Sequence, residues 1–169
     1  DIATLYTPVI PGPVSHVAIP VDEKGERTII VIADDKLDQV SLDGLPIKAH
    51  DIVAFVIWRN NFVKDLEIAQ KAGAITVVGS AALTDAQVLR ADYLIGSRDD
   101  FSGDYSVEQA LTRFTYVVVT SGADGATFYS AQGSIFQPAE IAEVVDTTGA
   151  GDAFLSALLH YLVINKTID

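Results

Sequence analysis

Residues 144–154 read VVDTTGAGDAF, and the residues that follow them are almost all apolar. Such an apolar segment is typical of a helix buried on most sides, which we expect at residues 153–163. A short apolar run therefore leads through a glycine-containing turn into a long helix. The backbone N–H groups of Gly149, Ala150 and Gly151 would then lie at the helix N-terminus, where unpaired donors and the helix dipole favour an anion.

Two carboxylates flank this turn. Asp152 directly follows the three N–H groups, and a carboxylate there can accept the proton of a substrate hydroxyl while its oxygen attacks phosphorus. Asp146 lies at the expected end of a strand, where it can act on a metal ion or on phosphate-bound water. A structural reading is also open, because such a turn often only connects two elements and an early helical Asp often only stabilises the dipole.

The chain upstream alternates between apolar runs and helical segments. Continuous apolar runs are typical of parallel strands covered on both faces. Their alternation with helices predicts an α/β fold with three layers and a mostly parallel central sheet, in which ligands bind at the carboxyl ends of the strands. The expected strands are residues 52–57, 75–78, 93–95 and 116–120, then a hairpin of 126–129 and 134–136, and the expected helices are 62–72, 85–89 and 106–113.

The N-terminal segment has a different pattern. Two β-branched runs, residues 17–21 and 28–32, flank a polar turn that contains Gly25, and this arrangement predicts a hairpin. Residues 6–13 hold three prolines and a glycine, which suits an edge strand or a loop. We expect residues 8–32 to form edge strands or part of a small β lid over the substrate.

Composition excludes several classes of function. The 23 Asp and Glu residues outnumber the 11 Lys and Arg residues, for a formal net charge of -12, and the basic residues are scattered, so neither nucleic acid nor a membrane is an expected partner. No apolar run approaches the roughly 20 residues of a membrane span, and the start lacks the pattern of a signal peptide. The absence of cysteine excludes thiol chemistry and favours the cytoplasm.

Residues 146–154 resemble the C-terminal signature of the ribokinase-like (PfkB) sugar and nucleoside kinases, without a mismatch in nine contiguous residues. The resemblance implies an enzyme that binds ATP and Mg²⁺, with a monovalent cation as a further candidate. The residues it assigns are Asp152 as the catalytic base, Gly149, Ala150 and Gly151 as the anion hole, and Asp146 and Thr148 as candidates on the nucleotide side.

A second segment is similar to the same family. Residues 118–126 resemble its Thr-x-Gly-x-x-Gly segment, in which a strand ends in a turn beside the nucleotide. A lone Gly-x-x-Gly would more often be a tight turn, but this one precedes the signature as the family places it. The resemblance implies that Thr120, Gly122 and Gly125 lie beside the nucleotide.

A third match departs from the family pattern. Where the family carries Asn-x-x-Glu, whose Glu helps to hold Mg²⁺, this chain has Ser97 and Asp100. Asp keeps the charge but is one methylene shorter, so a metal contact through water and a solvated acidic turn are both open readings. The Ser is also found in branches similar to ketohexokinase. Arg59, which follows the strand 52–57, is a candidate for contacting an anionic substrate, or a surface residue that packs on Trp58.

The resemblance implies transfer of the γ-phosphoryl group of ATP to a hydroxyl of a sugar or sugar derivative, with Asp152 as base. A nucleoside kinase and a non-catalytic sugar- or nucleotide-binding homologue are the alternatives. The intact Asp152 argues against the second, whereas Ser97 and Asp100 favour it. We expect residues 1–169 to be an incomplete single kinase domain that lacks the family's N-terminal portion and C-terminal helices. A homodimer formed through the lid strands is a further expectation.

Overall fold

The computed structural model describes residues 11, 17–18, 20, 30–31, 40–88, 90–144 and 146–165. The chain divides into two compact units, Asp1–Leu45 and Pro46–Asp169. The second unit carries the strands and helices in which the sequence motifs lie.

The first unit contains a short antiparallel pair of strands. Strand β1, Val17–Ala18, pairs with β2, Ile30–Val31, so that Val17 lies opposite Val31. This pairing confirms that the two expected runs pair antiparallel at residues 17–18 and 30–31. The hairpin turn and, apart from Pro11, residues 6–13 lie outside the described residues, and the lid remains a prediction.

The second unit contains a six-stranded, mostly parallel sheet. Its strand order follows the sequence from β3 to β8, with β3 to β6 parallel and β7 and β8 antiparallel. Both the sheet and the closing hairpin were expected from the apolar runs. The strands are β3 Ile52–Phe55, β4 Ile75–Gly79, β5 Ala91–Ser97, β6 Phe114–Thr120, β7 Gly125–Ser130 and β8 Gly133–Pro138.

Helix α1, Phe62–Lys71, agrees with the prediction. Its buried side chains include Phe62, Leu66 and Ala69, whose spacing places them on one face. The helix ends because Gly73 adopts a φ of 75°, and the N–H of the next residue, Ala74, donates to the carbonyl of Ala69 at 3.0 Å. This is the Schellman arrangement that favours glycine.

Two further helices follow. Helix α2, Val107–Ala110, is shorter than the expected 106–113 and is capped by Ser106, whose Oγ accepts from the backbone N–H of Gln109 at 3.2 Å. Helix α3 is Ala150–Asn165. None of the helices in the described part of the chain is long and apolar enough to cross a membrane.

The sheet is covered on both faces, which confirms the three-layer α/β fold. On one face, Leu158 and Leu162 of α3 pack in a core cluster with Val77, Tyr93 and Val118 of the central strands. Side chains alternate between the two faces of a strand. The opposite face is covered by α1, whose Phe62 ring lies 5.7 Å from the ring of Phe55.

Two predicted elements upstream of β5 were wrong in part. The structure has a 3₁₀ helix at Ser80–Thr84 and no helix at residues 85–88. The Asp85 carboxylate accepts the backbone N–H of Gln87 at 2.9 Å, and such a local bond competes with helix formation. The strand expected at residues 52–57 ends at Phe55, because its pairing with β4 ends there.

Two expectations around α3 were also wrong. Residues 139–144 form no strand ahead of Asp146, and the side chain of Val144 there is 66% exposed. Helix α3 buries Leu158 and Leu162, but Val163 and Ile164 are each 63% exposed. The burial of α3 is confined to the stripe that packs on the sheet.

Candidate functional site

A cleft of about 460 Å³ lies at the carboxyl ends of β3 to β6, beside the first turns of α3. Parallel strands present their carboxyl ends at one edge of the sheet, where a ligand meets few side-chain obstacles. We call it the strand-end cleft. Its polar lining side chains are Arg59, Ser80, Ser97, Thr120 and Asp152, and its apolar lining includes Val56, Ile57, Trp58, Phe154 and Leu155.

Local hydrogen bonds form the turn that leads into α3. Asp146 Oδ1 accepts the backbone N–H of Thr148 at 2.7 Å, a bond that fixes an Asx turn. Gly149 follows with a φ of 77°, in the left-handed region that glycine occupies without steric cost. The first helical bond runs from the N–H of Ala153 to the carbonyl of Gly149 at 2.8 Å. The sequence therefore starts the helix just ahead of Asp152.

The predicted anion hole lies only partly on the cleft. Gly151 lines it, whereas Gly149 and Ala150 do not, and the N–H of Ala150 donates to the carbonyl of Thr147 at 3.1 Å. A Cβ built on Gly151 would meet no atom within 4 Å. The space in front of the helix N-terminus is therefore open, and amides in a first helical turn have no acceptor within the helix.

Four sequence-predicted residues meet at the strand-end cleft. Asp152 and Gly151 come from α3, Thr120 from the end of β6, and Arg59 from the segment after β3. Ser97, at the end of β5, lines the cleft as well. The other predicted site residues, Asp100, Gly122, Gly125, Asp146, Thr148, Gly149 and Ala150, are outside its lining.

The turn after β6 has backbone reasons for its glycines. Gly122 has a φ of 55° and Gly125 a φ of 120°, both in the region that disfavours other residues. A Cβ on Gly125 would also collide with the carbonyl oxygen of Gln137 in β8, whereas one on Gly122 would meet nothing within 4 Å. Gly125 is thus required by the hairpin itself, and its role beside a nucleotide remains a prediction.

We expect Gly125→Ala to lower the free energy of unfolding by about 2–4 kcal/mol, since it combines a collision with a strained φ. Gly122→Ala is the control, with open space and a φ of 55° in the left-handed helical region, and should cost only about 1–2 kcal/mol. Urea unfolding of both variants measures the difference. Equal losses would show that the approach of β8 plays no part.

Asp100, the candidate metal ligand, forms a local turn with Ser97. Asp100 Oδ2 accepts the backbone N–H of Ser97 at 2.6 Å and its hydroxyl at 2.9 Å. Among the residues described, no group of three or more His, Cys, Asp and Glu side chains could hold a metal ion. Mg²⁺ is commonly held by one or two carboxylates together with substrate phosphates and water. This donor set therefore fits an ion that arrives with a nucleotide, and metal binding by Asp100 remains a prediction.

Sequence reasoning missed Asp85, which lies behind the cleft. The buried indole Nε1–H of Trp58 donates to Asp85 Oδ2 at 3.0 Å. This bond, and after it the backbone N–H of Gln87, hold the pKa of the Asp85 carboxyl below its ordinary value, although burial opposes them. A buried tryptophan needs an acceptor for its N–H, so the single Trp of the chain was the available signal.

The lowered pKa predicts a pH-dependent contribution to stability. Ionised Asp85 stabilises the fold above its unfolded pKa of about 4, and this contribution is lost as the pH falls through the lower folded pKa. We expect Asp85→Asn to lower the free energy of unfolding by about 1–2 kcal/mol at neutral pH and by less below about pH 4. Urea unfolding at both pH values measures this, and a difference independent of pH would contradict it.

Comparison with known proteins gives the following matches. The family model described as pfkB family carbohydrate kinase matches residues 61–169. Aminoimidazole riboside kinase of Salmonella typhimurium is 51% identical over 45 residues, which are 27% of this chain and 14% of that protein. The 5-dehydro-2-deoxygluconokinase of Bacillus licheniformis is 35% identical over 91 residues, which cover 47% of this chain and 28% of that protein.

A solved structure shares the fold. A double mutant of fructokinase from Vibrio cholerae O395, with fructose, ADP and potassium ion bound, superposes with a TM-score of 0.72 at 24% identity. The match covers 90% of this chain and 60% of that one. The chain thus spans about three fifths of the length of the fructokinase. The matched segments of the two curated relatives cover 14% and 28% of their lengths.

Proposed function

Because the chain belongs to the pfkB family of carbohydrate kinases, we propose that its strand-end cleft transfers the γ-phosphoryl group of ATP to a hydroxyl of a sugar or sugar derivative. The observation that carries this proposal is the meeting of Asp152, Gly151 and Thr120 on one cleft. A proton acceptor, an open helix N-terminus and a hydroxyl are the groups that such a reaction uses.

Asp152 acts as the general base. Its carboxylate lies on the exposed lining of the cleft, one residue after Gly151. There it accepts the proton of the acceptor hydroxyl while the oxygen attacks phosphorus, and it holds that hydroxyl in line for the attack. No other Asp or Glu is among the cleft residues described, so this role falls to Asp152.

The N-terminus of α3 stabilises the transferred group. Because the first turn of a helix carries unpaired N–H donors and the positive end of the dipole, it attracts the negative charge on the phosphoryl oxygens. Gly151 has no side chain to occupy this space. We assign the anion hole to Gly149, Ala150 and Gly151, of which Gly151 lines the cleft, and the N–H of Ala150 would exchange its bond to the Thr147 carbonyl for the phosphate.

The nucleotide is assigned to the side of the cleft that Thr120 lines. Gly122 and Gly125 follow it in the same turn, and Asp146 and Thr148 are the candidates ahead of α3. Mg²⁺, when bound with ATP, would neutralise phosphate charge, and Asp100 is the carboxylate proposed to approach it through water. The ADP and potassium ion in the related fructokinase structure support a nucleotide and a monovalent cation here.

Arg59 is proposed to contact the acceptor or the phosphates. It is an exposed cation on the lining of the cleft, in a chain whose net charge is -12. A guanidinium at that position offsets the repulsion that an anionic ligand meets from the acidic surface.

A riboside kinase is the second candidate. The 51% identity over 45 residues with a kinase named for aminoimidazole riboside favours it, whereas relatives named for fructose and 5-dehydro-2-deoxygluconate favour sugars and sugar derivatives. A non-catalytic binding homologue is less favoured, because it would not require Asp152 on the cleft.

ADP release tests the proposal. The protein is supplied with Mg-ATP and separately with sugars, sugar acids, sugar phosphates and ribosides. We expect release that depends on one acceptor class and disappears when EDTA removes the metal. Release with ribosides alone would select the second candidate. ATP binding without turnover on any acceptor would instead support the non-catalytic reading and overturn the proposed function.

A further inference from the structure

Trp58 lines the strand-end cleft and is held on three sides. Its side chain is 5% exposed, and its ring meets Phe55 edge-on, with centroids 5.7 Å apart, and Phe62 at 6.4 Å. The indole N–H donates to Asp85 Oδ2 at 3.0 Å. Aromatic contacts alone allow a ring to rotate or slide, whereas a buried hydrogen bond fixes its direction. Asp85 therefore sets the orientation of Trp58.

Asp85 is itself fixed in place. Its Oδ1 accepts the backbone N–H of Gln87 at 2.9 Å, and its carbonyl accepts from the guanidinium of Arg113 at 2.7 Å. The same guanidinium donates to the carbonyls of Leu83 at 2.9 Å and Val88 at 2.8 Å. The connection between β4 and β5 is thus tied to the residue that precedes β6.

Arg59 is attached both to Trp58 and to the start of α1. The carbonyl of Trp58 accepts from Arg59 Nη1 at 3.3 Å, and the carbonyl of Arg59 accepts the N–H of Phe62 at 2.9 Å. Both Trp58 and Arg59 line the cleft. A long cationic side chain loses less conformational entropy on meeting a ligand when its backbone is already ordered.

We infer that Asp85 is a positioning residue, which acts through the orientation of Trp58 to hold Arg59 at the strand-end cleft. The catalytic part of this inference rests on the proposed function. Asp85 lies outside the lining of the cleft, and its role is to keep the guanidinium where an anionic group of the acceptor or of ATP enters.

The substitution Asp85→Asn tests the positioning role, because Asn has nearly the same size and shape as Asp. Both carboxylate oxygens of Asp85 accept one N–H each, whereas an amide offers one acceptor and one NH₂ donor. One of the two N–H groups, that of Trp58 or of Gln87, must then face a donor. Asp92→Asn is the control for the change of charge: Asp92 Oδ2 accepts both of its bonds from Thr76, at 2.8 and 2.7 Å, and a single amide oxygen can keep both.

The control lies away from the cleft. Asp92 is the second residue of β5, at the edge of the sheet opposite the strand ends, and is not part of the cleft lining. An effect of the lost negative charge alone would appear in both variants. An effect on Trp58 and Arg59 would appear only in Asp85→Asn.

The first readout requires no activity. The indole N–H of Trp58, the only tryptophan of the chain, gives one signal in a ¹H–¹⁵N spectrum, which Trp58→Phe identifies by removing it. We expect Asp85→Asn to shift this signal and Asp92→Asn to leave it in place. An unchanged signal in Asp85→Asn would show that the carboxylate does not hold the indole, which overturns the inference.

The second readout is a double-mutant cycle in kcat/KM for the best acceptor, with Asp85→Asn, Arg59→Gln and the double variant. We expect Asp85→Asn to lower kcat/KM about tenfold alone but less than about twofold when Arg59 is already Gln, because the two residues act as a unit. Asp92→Asn should have the same small effect in both backgrounds.

The outcomes separate this inference from the proposed function. Equal losses from Asp85→Asn in both backgrounds, with wild-type turnover intact, would mean that Asp85 serves stability only, and the inference fails while the kinase stands. A wild-type protein without turnover on any acceptor removes the proposed function and the positioning role with it.

Discussion

Replacing Asp152 with Asn is expected to lower kcat by about 10²- to 10⁴-fold, which is the usual contribution of a positioned general base. Asn has nearly the same size but cannot take a proton from the acceptor hydroxyl. The affinity of the variant protein for Mg-ATP should stay unchanged or rise, because the substitution removes a negative charge from the cleft that the phosphates enter. Steady-state kinetics and equilibrium binding of Mg-ATP measure the two quantities separately.

Asp92→Asn is the control for this result, since it makes the same chemical change at the opposite edge of the sheet. We expect its kcat to stay within about twofold of the wild type once the folded fraction is matched, because sites with no shared partner act independently. Full turnover by Asp152→Asn would mean that another group accepts the proton. Loss of Mg-ATP binding in that variant would mean that Asp152 holds the nucleotide instead.

Gly151→Ala is expected to separate folding from function. A Cβ at this position meets no atom within 4 Å, and Ala is favoured over Gly in a helix by about 0.5–1 kcal/mol, so the variant should be at least as stable as the wild type. The added methyl group enters the space that we assign to the phosphoryl group. We expect a loss in kcat/KM of about 10²-fold, comparable with the removal of one preorganised donor.

Gly103→Ala provides the matched control for this loss. Gly103 also has open space around its built Cβ and no positive φ, but it lies outside the strand-end cleft. Its turnover should equal that of the wild type. Urea unfolding and steady-state kinetics of both variants complete the test. Full turnover by Gly151→Ala would show that the N-terminus of α3 does not bind the transferred phosphoryl group.

The sheet could be predicted because its central strands are apolar on both faces. Val77, Val78, Val117 and Val118 are all at most 2% exposed, so the sequence shows continuous runs there rather than alternation. The meeting of Thr120 with Ser97 at the cleft follows from the same fact, because parallel strands end at one edge, whereas Asp152 reaches it from helix α3. The sequence therefore predicts which strand ends contribute residues to this edge.

The segments whose secondary structure was predicted wrongly are determined by contacts between residues distant in sequence. The helix expected at residues 85–89 has no counterpart at the described residues 85–88, because Asp85 bonds to Gln87 and Trp58, and Arg113 binds the carbonyls of that segment. Local propensity contains no information about a partner 27 residues away. The pairing of Trp58 with Asp85 could be found only from the folded chain.

The exposed side of α3 shows another limit. Its apolar sequence predicts burial on most sides, yet in the part of the chain described the sheet covers only the stripe of Leu158 and Leu162. Apolar composition reports how much surface a helix tends to bury and does not identify the element that covers it.

Phosphorus NMR of the reaction products tests the central claim most directly. The protein is incubated with Mg-ATP and the acceptor class that gives ADP release, beside an identical sample without acceptor. Phosphoryl transfer predicts a new phosphate monoester signal that grows in step with ADP and only when the acceptor is present. Inorganic phosphate appearing with ADP at the same rate in both samples would show that water accepts the phosphoryl group, and this result would contradict the account.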